Sequence, residues 1–190
     1  RDPEMSRGLG DVYKRQHDGL AEAIKYGCIK DAALFEKIAG YADDAELLAD
    51  IDSVVATCCA IKARIVEQDE FDTGLRMLLN FGHTLGHAVE QHFGYSCFTH
   101  GEGVAIGMYQ LTKRTEELGM TAKGSAERIK SVLEKYNLPL TAGVEKAQLL
   151  DTMARDKKKN GNSITLIILQ QIGEGVLQKV DWQEVPRYLG

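Results

Sequence analysis

The stretch LLNFGHTLGHAVEQHFGYSCFTHGEG, residues 78–103, constrains the chain most, because it holds four of the five histidines. A helix over about 81–93 turns by roughly 100° per residue, which places His83, His87 and Glu90 on one stripe. The other side of that helix is apolar, with Leu85, Ala88, Val89 and Phe93. The pattern therefore predicts an amphipathic helix with one packing face and one chemically active face.

The histidine spacing in this stretch predicts a binding site. His83 and His87 stand four residues apart, so on a helix both can reach one metal ion or one substrate. His100 follows a turn-like segment at 94–96 and begins another apolar run. A helical histidine pair alone is more often a surface or packing feature, but a simple packing helix would avoid burying so many polar groups as residues 76–102 contain. The HExxH pattern of zinc peptidases is absent, since threonine follows the first histidine.

Three motifs resemble one known family. GLAEAIKYG at 19–27, GLRMLLNFGHTLGHAVE at 74–90 and HGEGVAIGM at 100–108 resemble the signature of the 3-dehydroquinate synthases. The resemblance covers residues 18 to about 180 and implies the helical C-terminal domain of that enzyme. The resemblance does not include the N-terminal NAD-binding domain of the family, which is missing from this sequence. We therefore expect one domain over residues 17–190.

Residues 1–16, RDPEMSRGLGDVYKRQ, do not match the family where its strand-rich domain should be ending. They carry charge, two early helix breakers and no sustained apolar period. We interpret them as a foreign or frayed leader, such as a cloning or sequencing junction would produce.

Composition and charge narrow the class of protein. With 190 residues, 44% hydrophobic and 27% charged, the chain is long enough for one globular domain with a real core. A net charge of −5 leaves no basic footprint, so nucleic acid is not an expected partner. No apolar run approaches the roughly 20 residues of a membrane span, and no signal peptide is expected. Cys28, Cys58, Cys59 and Cys97 show no CxxC spacing, which favours reduced, buried thiols in a cytoplasmic protein.

Apolar periodicity predicts a mainly α fold with a small β-hairpin near the C-terminus. Asp18 is the expected N-cap of a first helix, and Ser125 begins the capping signal of a later one. Other helices are expected over about 31–42, 44–68, 103–120, 125–139, 145–162 and 181–190. The last of these is expected to pack through Trp182 and Leu189. Residues 173–175 are the expected hairpin turn.

The family resemblance implies a metal ion held by Glu22, His83 and His100. One carboxylate and two imidazoles with an open position form an established catalytic zinc set, and the implied metal is Zn²⁺ or Co²⁺. On composition alone, Glu22 and Lys25 would be a surface ion pair. The family pattern instead makes the glutamate a ligand and has Lys25 reach the substrate. His87 is then free to bind substrate or to transfer a proton.

The rest of the implied site binds a small phosphorylated keto-sugar acid. Lys62 falls where the family places a carboxylate-binding lysine. Asp72 stands where the family prefers glutamate, so the catalytic contact implied there is one methylene shorter. Arg76 and Asn80 are four residues apart and share one face if their segment is helical. The side chains expected to bind substrate are Lys25, Lys62, Arg76, Asn80, His87, and Lys157 or Lys158.

The resemblance also implies a reaction. The whole enzyme cyclises 3-deoxy-D-arabino-heptulosonate 7-phosphate to 3-dehydroquinate with release of phosphate, in the shikimate pathway, and is expected to be a homodimer. It uses NAD, which is regenerated in each cycle and bound mainly by the N-terminal domain; no GxGxxG loop in this sequence replaces that domain. We expect this chain to bind metal and substrate and to be inactive alone. The alternatives are another sugar-phosphate cyclase such as a 2-deoxy-scyllo-inosose synthase, more distantly a glycerol or iron-type alcohol dehydrogenase, and a non-catalytic helical metal-binding module.

Overall fold

The computed structural model describes the backbone of residues 3–69 and 74–190, with side chains described except at 3–11, 13 and 156–160. Its helices are α1 (Pro3–Lys30), α2 (Ala32–Gly40), α3 (Asp44–Ala49), α4 (Ile51–Gln68), a 3₁₀ helix (Leu75–Asn80), α5 (His83–His92), α6 (His100–Glu117), α7 (Ser125–Lys135), α8 (Lys146–Asn160) and α9 (Val185–Tyr188). Strands β1 (Ser163–Gln171) and β2 (Glu174–Asp181) pair as one antiparallel hairpin. The predicted fold class, mainly α with a small hairpin near the C-terminus, is confirmed.

Helix α1 is longer than the sequence predicts and packs against α2, α4, α6 and β2. It runs without a break from Pro3 to Lys30, so residues 3–16 are helical and the predicted N-cap at Asp18 is wrong. Proline is well tolerated in a first helical turn, where its missing N–H has no partner to lose. The buried face of the second half of α1 includes Ala21, Ile24 and Cys28.

A break at Asp50 divides the long helix predicted over 44–68 into α3 and α4. The Asp50 backbone has φ −112° and ψ 16°, and its N–H donates to the carbonyl of Leu47. Its carboxylate accepts from the Tyr41 hydroxyl at 2.5 Å and pairs with the Lys37 ammonium at 2.9 Å. A periodic apolar pattern continues through this position, so the break depends on contacts with α2 and the loop that follows it, which periodicity cannot show.

Helices α5 and α6 cross so closely that their backbones touch. A Cβ atom on Gly86 would lie 2.6 Å from the carbonyl oxygen of Gly103, and a Cβ atom on Gly107 would overlap the carbonyl oxygen of Gly82. Gly82 also has φ 77°, in the left-handed region that glycine adopts without a steric cost. Glycines four residues apart on both helices therefore allow the crossing, and the crossing brings the histidines of α5 to the first turn of α6.

The C-terminal third packs on the other side of α5. Helix α8 contacts α5 and β1, and Trp182 and Leu189 are buried in a cluster with Leu85, as predicted. The hairpin turns at 172–173, ahead of the predicted turn. Gly124, with φ 88°, is the N-cap of α7, so the predicted cap at Ser125 is wrong; its hydroxyl donates to the carbonyl of Ala122.

Two general predictions can be compared with the described residues. None of the helices in the described part of the chain combines the length and the apolarity needed to cross a bilayer. All four cysteines are free thiols, as expected, but the prediction that all four are buried is wrong. Cys28 is buried and Cys58 half-buried, whereas Cys59 and Cys97 are exposed.

Candidate metal centre

Three side chains from three helices converge at the end of the α5–α6 crossing. Glu22 lies in the middle of α1, His83 is the first residue of α5 and His100 is the first residue of α6. Each offers a ligand atom, and these atoms all lie within 4.8 Å of one another. The two imidazole rings are tilted by 60°, with centroids 5.0 Å apart. The structure thus brings together the three residues that the sequence analysis assigns to a metal.

The Glu22 carboxylate has one oxygen occupied and one available. Its Oε2 accepts from the Lys25 ammonium at 2.5 Å, and Lys25 is only 2% exposed. Its Oε1 is buried, has no hydrogen-bond partner among the described residues and lies 3.7 Å from Nε2 of His83. A buried carboxylate oxygen without a partner is costly. That cost is removed if a cation binds between Glu22 and the imidazole.

His83 is held in the form that binds a metal. Its Nδ1 lies 3.1 Å from the carbonyl oxygen of Phe81, to which it can only donate, so Nε2 carries the lone pair that faces Glu22. Burial lowers the pKa of His83, and the nearby charges of Lys25 and His100 lower it further, against the opposing effects of the Phe81 hydrogen bond and Glu22. The neutral imidazole required of a ligand is therefore favoured at neutral pH.

Glu90 contacts the other two histidines of the site, although it is not among the site residues predicted from the sequence. Its side chain is buried on α5, and one carboxylate oxygen lies 3.2 Å from Nδ1 of His87 while the other lies 3.2 Å from Nδ1 of His100. The helical stripe identified from the sequence includes Glu90 and His87. The partner His100 arrives only through the tertiary crossing of α5 and α6, so a search along one helix could not find the bridge.

The donor set and its geometry fit a divalent metal such as zinc. Ligand atoms about 2.0–2.2 Å from a tetrahedral ion stand roughly 3.4 Å from one another. The widest ligand separation allowed here, 4.8 Å, would need to close by about 1.4 Å, which is within the reach of side-chain rotation. One carboxylate with an unpartnered oxygen and two imidazoles therefore form a candidate three-ligand site.

Comparison with known proteins identifies the family of the chain. The family model described as 3-dehydroquinate synthase C-terminal matches residues 19–159. The chain belongs to the 3-dehydroquinate synthase family. A 3-dehydroquinate synthase of Clostridium acetobutylicum is 47% identical over 174 residues, covering 91% of this chain and 49% of that protein. The chain thus spans about half the length of the curated relatives it matches.

Solved structures share the fold at low sequence identity. A 2-epi-5-epi-valiolone synthase from Streptomyces hygroscopicus subsp. jinggangensis 5008, with NAD⁺ and Zn²⁺ bound, matches with a TM-score of 0.76 and 22% identity, over 90% of this chain and 49% of that one. A 2-deoxy-scyllo-inosose synthase complexed with carbaglucose-6-phosphate, NAD⁺ and Co²⁺ matches with a TM-score of 0.74 and 17% identity, over 92% and 51%. At these identities the matches show that the fold is shared, and they show nothing beyond the fold.

The other predicted substrate residues lie on elements next to the centre. Lys62 is exposed on α4, one turn beyond Cys58, and Arg76 and Asn80 are exposed on the 3₁₀ helix, which packs against α4. The expectation that Arg76 and Asn80 share one helical face is wrong. At three residues per turn, positions four apart point about 120° away from each other. Asn80 instead lines a small cavity with Thr84.

Three predicted residues are not tested by the structure. Asp72 lies outside the described residues, and the side chains of Lys157 and Lys158 do too. The backbone of the two lysines belongs to the last turns of α8, as predicted, and α8 packs against α5. Their roles stay predictions.

An apolar groove opens beside the centre, between α1 on one side and α3 and α4 on the other. It has a volume of about 320 Å³, and its lining includes Glu22 and Tyr26. Its wall includes large exposed side chains on α3 and α4, namely Leu48, Ile51 and Val55. Burial raises the pKa of the Cys58 thiol in this wall to about 11, with further contributions from Cys59 and Glu22, so the thiol stays neutral.

Proposed function

We propose that this chain is the metal- and substrate-binding half of a 3-dehydroquinate synthase. The reaction is the cyclisation of 3-deoxy-D-arabino-heptulosonate 7-phosphate to 3-dehydroquinate with release of phosphate, a step of the shikimate pathway. One observation carries the proposal: the ligand atoms of Glu22, His83 and His100 lie within 4.8 Å of one another, and all three stand in the motifs of the family. The 47% identity to a 3-dehydroquinate synthase over most of this chain supports the choice of substrate.

Each residue near the metal has a proposed task. Glu22, His83 and His100 hold Zn²⁺ or Co²⁺, which polarises the substrate hydroxyls when bound. Lys25 is fixed by Glu22 at 2.5 Å, so its ammonium neutralises the carboxylate and presents a fixed positive charge beside the substrate. His87 has a half-exposed ring, with 56% of the side chain accessible, and can exchange a proton with a bound substrate through Nε2.

The substrate anion needs several fixed donors around the centre. A carboxylate and a phosphate group are bound best by converging cationic and amide side chains. Lys62, Arg76 and Asn80 are exposed on two elements that pack against each other. We assign them to the substrate, with Asp72 and one of the lysines at the end of α8: Lys157 or Lys158.

The proposal divides the reaction between two halves of the full protein. Hydride transfer requires a nicotinamide ring held against the substrate carbon, and the orientation of that ring comes from a cofactor domain. We assign NAD binding to the half of the full-length relatives that this chain does not match. The chain by itself should therefore bind metal and substrate without turnover.

A second candidate function is that of another sugar-phosphate cyclase. This candidate is supported by the solved structures of two such enzymes, which share this fold. The two candidates share the metal centre and differ in the substrate they accept. Carbaglucose-6-phosphate is bound by one structural neighbour. It carries no carboxylate, so it would leave Lys62 or Arg76 without an anionic partner. A non-catalytic metal-binding module would bind zinc and neither anion.

The test is a phosphate-release assay with NAD and zinc. The chain is measured alone, then mixed with a separately expressed N-terminal half of the Clostridium acetobutylicum relative, with the keto-sugar acid phosphate or glucose 6-phosphate as substrate. Activity only in the mixture and only with the keto-sugar acid phosphate is expected. His83→Ala should abolish it, whereas His92→Ala, on the last turn of α5, should retain it. Turnover by the chain alone contradicts the division of labour, and preference for glucose 6-phosphate favours the second candidate.

A further inference from the structure

The feature from which we infer a further role is the bridge that Glu90 makes between two imidazoles. Its carboxylate lies 3.2 Å from Nδ1 of His87 and 3.2 Å from Nδ1 of His100. The side chain of Glu90 is 7% exposed, compared with 56% for His87 and 50% for His100. A buried carboxylate thus holds two exposed rings.

The chemistry of an ionised carboxylate fixes the tautomer of both rings. Such a carboxylate only accepts hydrogen bonds, so Nδ1 of each imidazole must carry the proton that it shares with Glu90. Nε2 is then the only ring nitrogen left to bind a metal or a substrate. For His100 this nitrogen is available to the proposed metal, and for His87 it is available to a substrate at the half-exposed ring.

The position of Glu90 is itself fixed by the helix crossing. Its Cγ would lie 3.3 Å from a Cβ atom on Gly103, so a larger residue on α6 would displace it. The carbonyl of Glu90 accepts from the N–H of Tyr95, which holds the end of α5. The side chain of Glu90 therefore packs directly on the crossing of α5 and α6, beside Gly103.

We propose that Glu90 is the positioning residue that couples the metal ligand His100 to the substrate-side His87. The proposal rests on the metal centre proposed above and adds a residue to it. Because one carboxylate holds Nδ1 of both imidazoles, a change that displaces Glu90 alters the orientation of the metal ligand and of the substrate-side ring together. Hydrogen-bond partners of ligating imidazoles typically change metal affinity by about 10- to 100-fold when they are removed.

Glu90→Gln separates this role from simple packing, because the side chain keeps its shape. An amide offers one acceptor and one donor, so it can satisfy Nδ1–H of only one ring and must donate to Nδ1 of the other. The other ring then carries its proton on Nε2. We expect the zinc Kd of the variant chain, measured by competition with a chelator, to rise by about 10- to 100-fold. Nitrogen NMR of the metal-free variant should show His87 or His100 in the changed tautomer.

The matched control is Glu116→Gln. Glu116 also accepts two hydrogen bonds, from the N–H groups of Gly124 and Ala126 at 2.7 and 2.8 Å. It lies 16 residues along α6 from His100, about 24 Å at 1.5 Å per residue. This control should lower stability and leave the zinc Kd within twofold of the wild type.

The outcomes distinguish this inference from the function on which it rests. A wild-type chain that does not bind zinc overturns the metal centre and the coupling together. Wild-type binding with a Glu90→Gln Kd within twofold overturns the coupling alone. If Glu90→Gln fails to fold, the wild-type spectrum decides: Nδ1–H on both His87 and His100 supports the bridge, and Nε2–H on His100 rules it out.

Discussion

The carboxylate of Asp18, in the interior of α1, accepts a hydrogen bond at 2.7 Å from the backbone N–H of Gly101, in the first turn of α6. The two residues are 83 positions apart in the sequence. A Cβ atom on Gly101 would collide with the Cα atom of Asp18, so the helices touch at this point. Asp18 thus helps to cap a helix other than its own, and it fixes the turn that carries His100 relative to the helix that carries Glu22.

Asp18→Ala should lower both stability and zinc affinity. Loss of a side-chain cap costs about 1 kcal/mol in the free energy of unfolding, and here the loosened turn carries a proposed ligand. The control is Asp31→Ala. This change removes the carboxylate that accepts a hydrogen bond from the Leu34 N–H at the start of α2. Denaturant unfolding should show similar losses for the two variants, with a raised zinc Kd for Asp18→Ala only. Equal zinc affinities would mean that the contact serves stability alone.

Gly86→Ala should destabilise the fold severely. The added methyl would lie 2.6 Å from the carbonyl oxygen of Gly103, and overpacking of this kind typically costs about 1–3 kcal/mol. Gly19→Ala is the matched control, because Gly19 is inside α1 and an added methyl meets nothing within 4 Å. Replacing a helical glycine by alanine in open space should raise the free energy of unfolding by about 0.5–1 kcal/mol. Thermal unfolding of the two variants measures the difference, and a mild effect of Gly86→Ala would contradict the close crossing.

The sequence predicts most of what depends on local spacing. Helices α2, α5, α6, α7 and α8, the hairpin near the C-terminus and the stripe of His83 and His87 follow from the periodic spacing of apolar residues. Asp18 shows where that approach stops. Its spacing suits an N-cap, but the backbone that it serves belongs to α6.

The parts of the site that the sequence analysis missed are those made by tertiary contacts. Glu90 reaches His100 only because α5 and α6 cross at glycines, and Arg76 and Asn80 diverge because their segment is a 3₁₀ helix. The glycines at positions 82, 86, 103 and 107, four apart in each motif, were a usable signal for the crossing. No comparable pattern marks the 3₁₀ segment.

Zinc should stabilise the chain through its three proposed ligands. A ligand that binds only the folded state at 100 times its Kd adds about 2.7 kcal/mol to the free energy of unfolding. His100→Ala should remove most of this gain in a thermal-shift measurement with and without zinc. His92→Ala should keep it, because the His92 ring packs edge-on against Phe93 at 5.0 Å and is not part of the cluster. An equal zinc shift in both variants would place the metal elsewhere.

Alkaline pH should destabilise the fold through Tyr136. The side chain is buried and its hydroxyl donates to the carbonyl of Ile38 at 2.5 Å. Burial, together with the negative charges of Asp44, Glu46 and Asp43, raises the pKa of Tyr136 to about 12. Because the pKa is higher in the folded state, the neutral Tyr136 hydroxyl makes its full contribution to the free energy of unfolding at pH values below the unfolded pKa of about 10. This contribution is then lost as the pH rises towards 12.

The measurement is the free energy of unfolding between pH 8 and 12, for the wild type and Tyr136→Phe. The variant lacks the hydroxyl, so it should be less stable at pH 8 and should lose less stability as the pH rises. Parallel curves would show that other groups cause the alkaline loss. Burial and the hydrogen bond to Asp50 also raise the pKa of Tyr41 to about 12. Tyr41→Phe is therefore a second variant of the same kind.

The apolar groove beside the centre should make the isolated chain self-associate. Leu48 and Val55 are 47% and 50% exposed on its wall, and contiguous exposed apolar surface favours association. Leu48→Ser with Val55→Ser should lower the average mass in analytical ultracentrifugation and leave the zinc Kd unchanged. Met77→Ser is the control, since Met77 is a 37% exposed apolar side chain on the 3₁₀ helix, away from the groove. An unchanged mass in the double variant would contradict the prediction.

The same groove should be covered when the N-terminal half of a family member is added. The alkylation rates of two exposed cysteines can detect this. Cys59 is exposed and lines the groove, whereas Cys97 is exposed in the segment between α5 and α6. Alkylation of the isolated chain should therefore modify both thiols. Addition of the N-terminal half of the Clostridium acetobutylicum relative should slow the modification of Cys59 and leave that of Cys97 unchanged, as followed by mass spectrometry of peptides. Equal protection of both cysteines, or of neither, would mean that the added half does not dock on this groove.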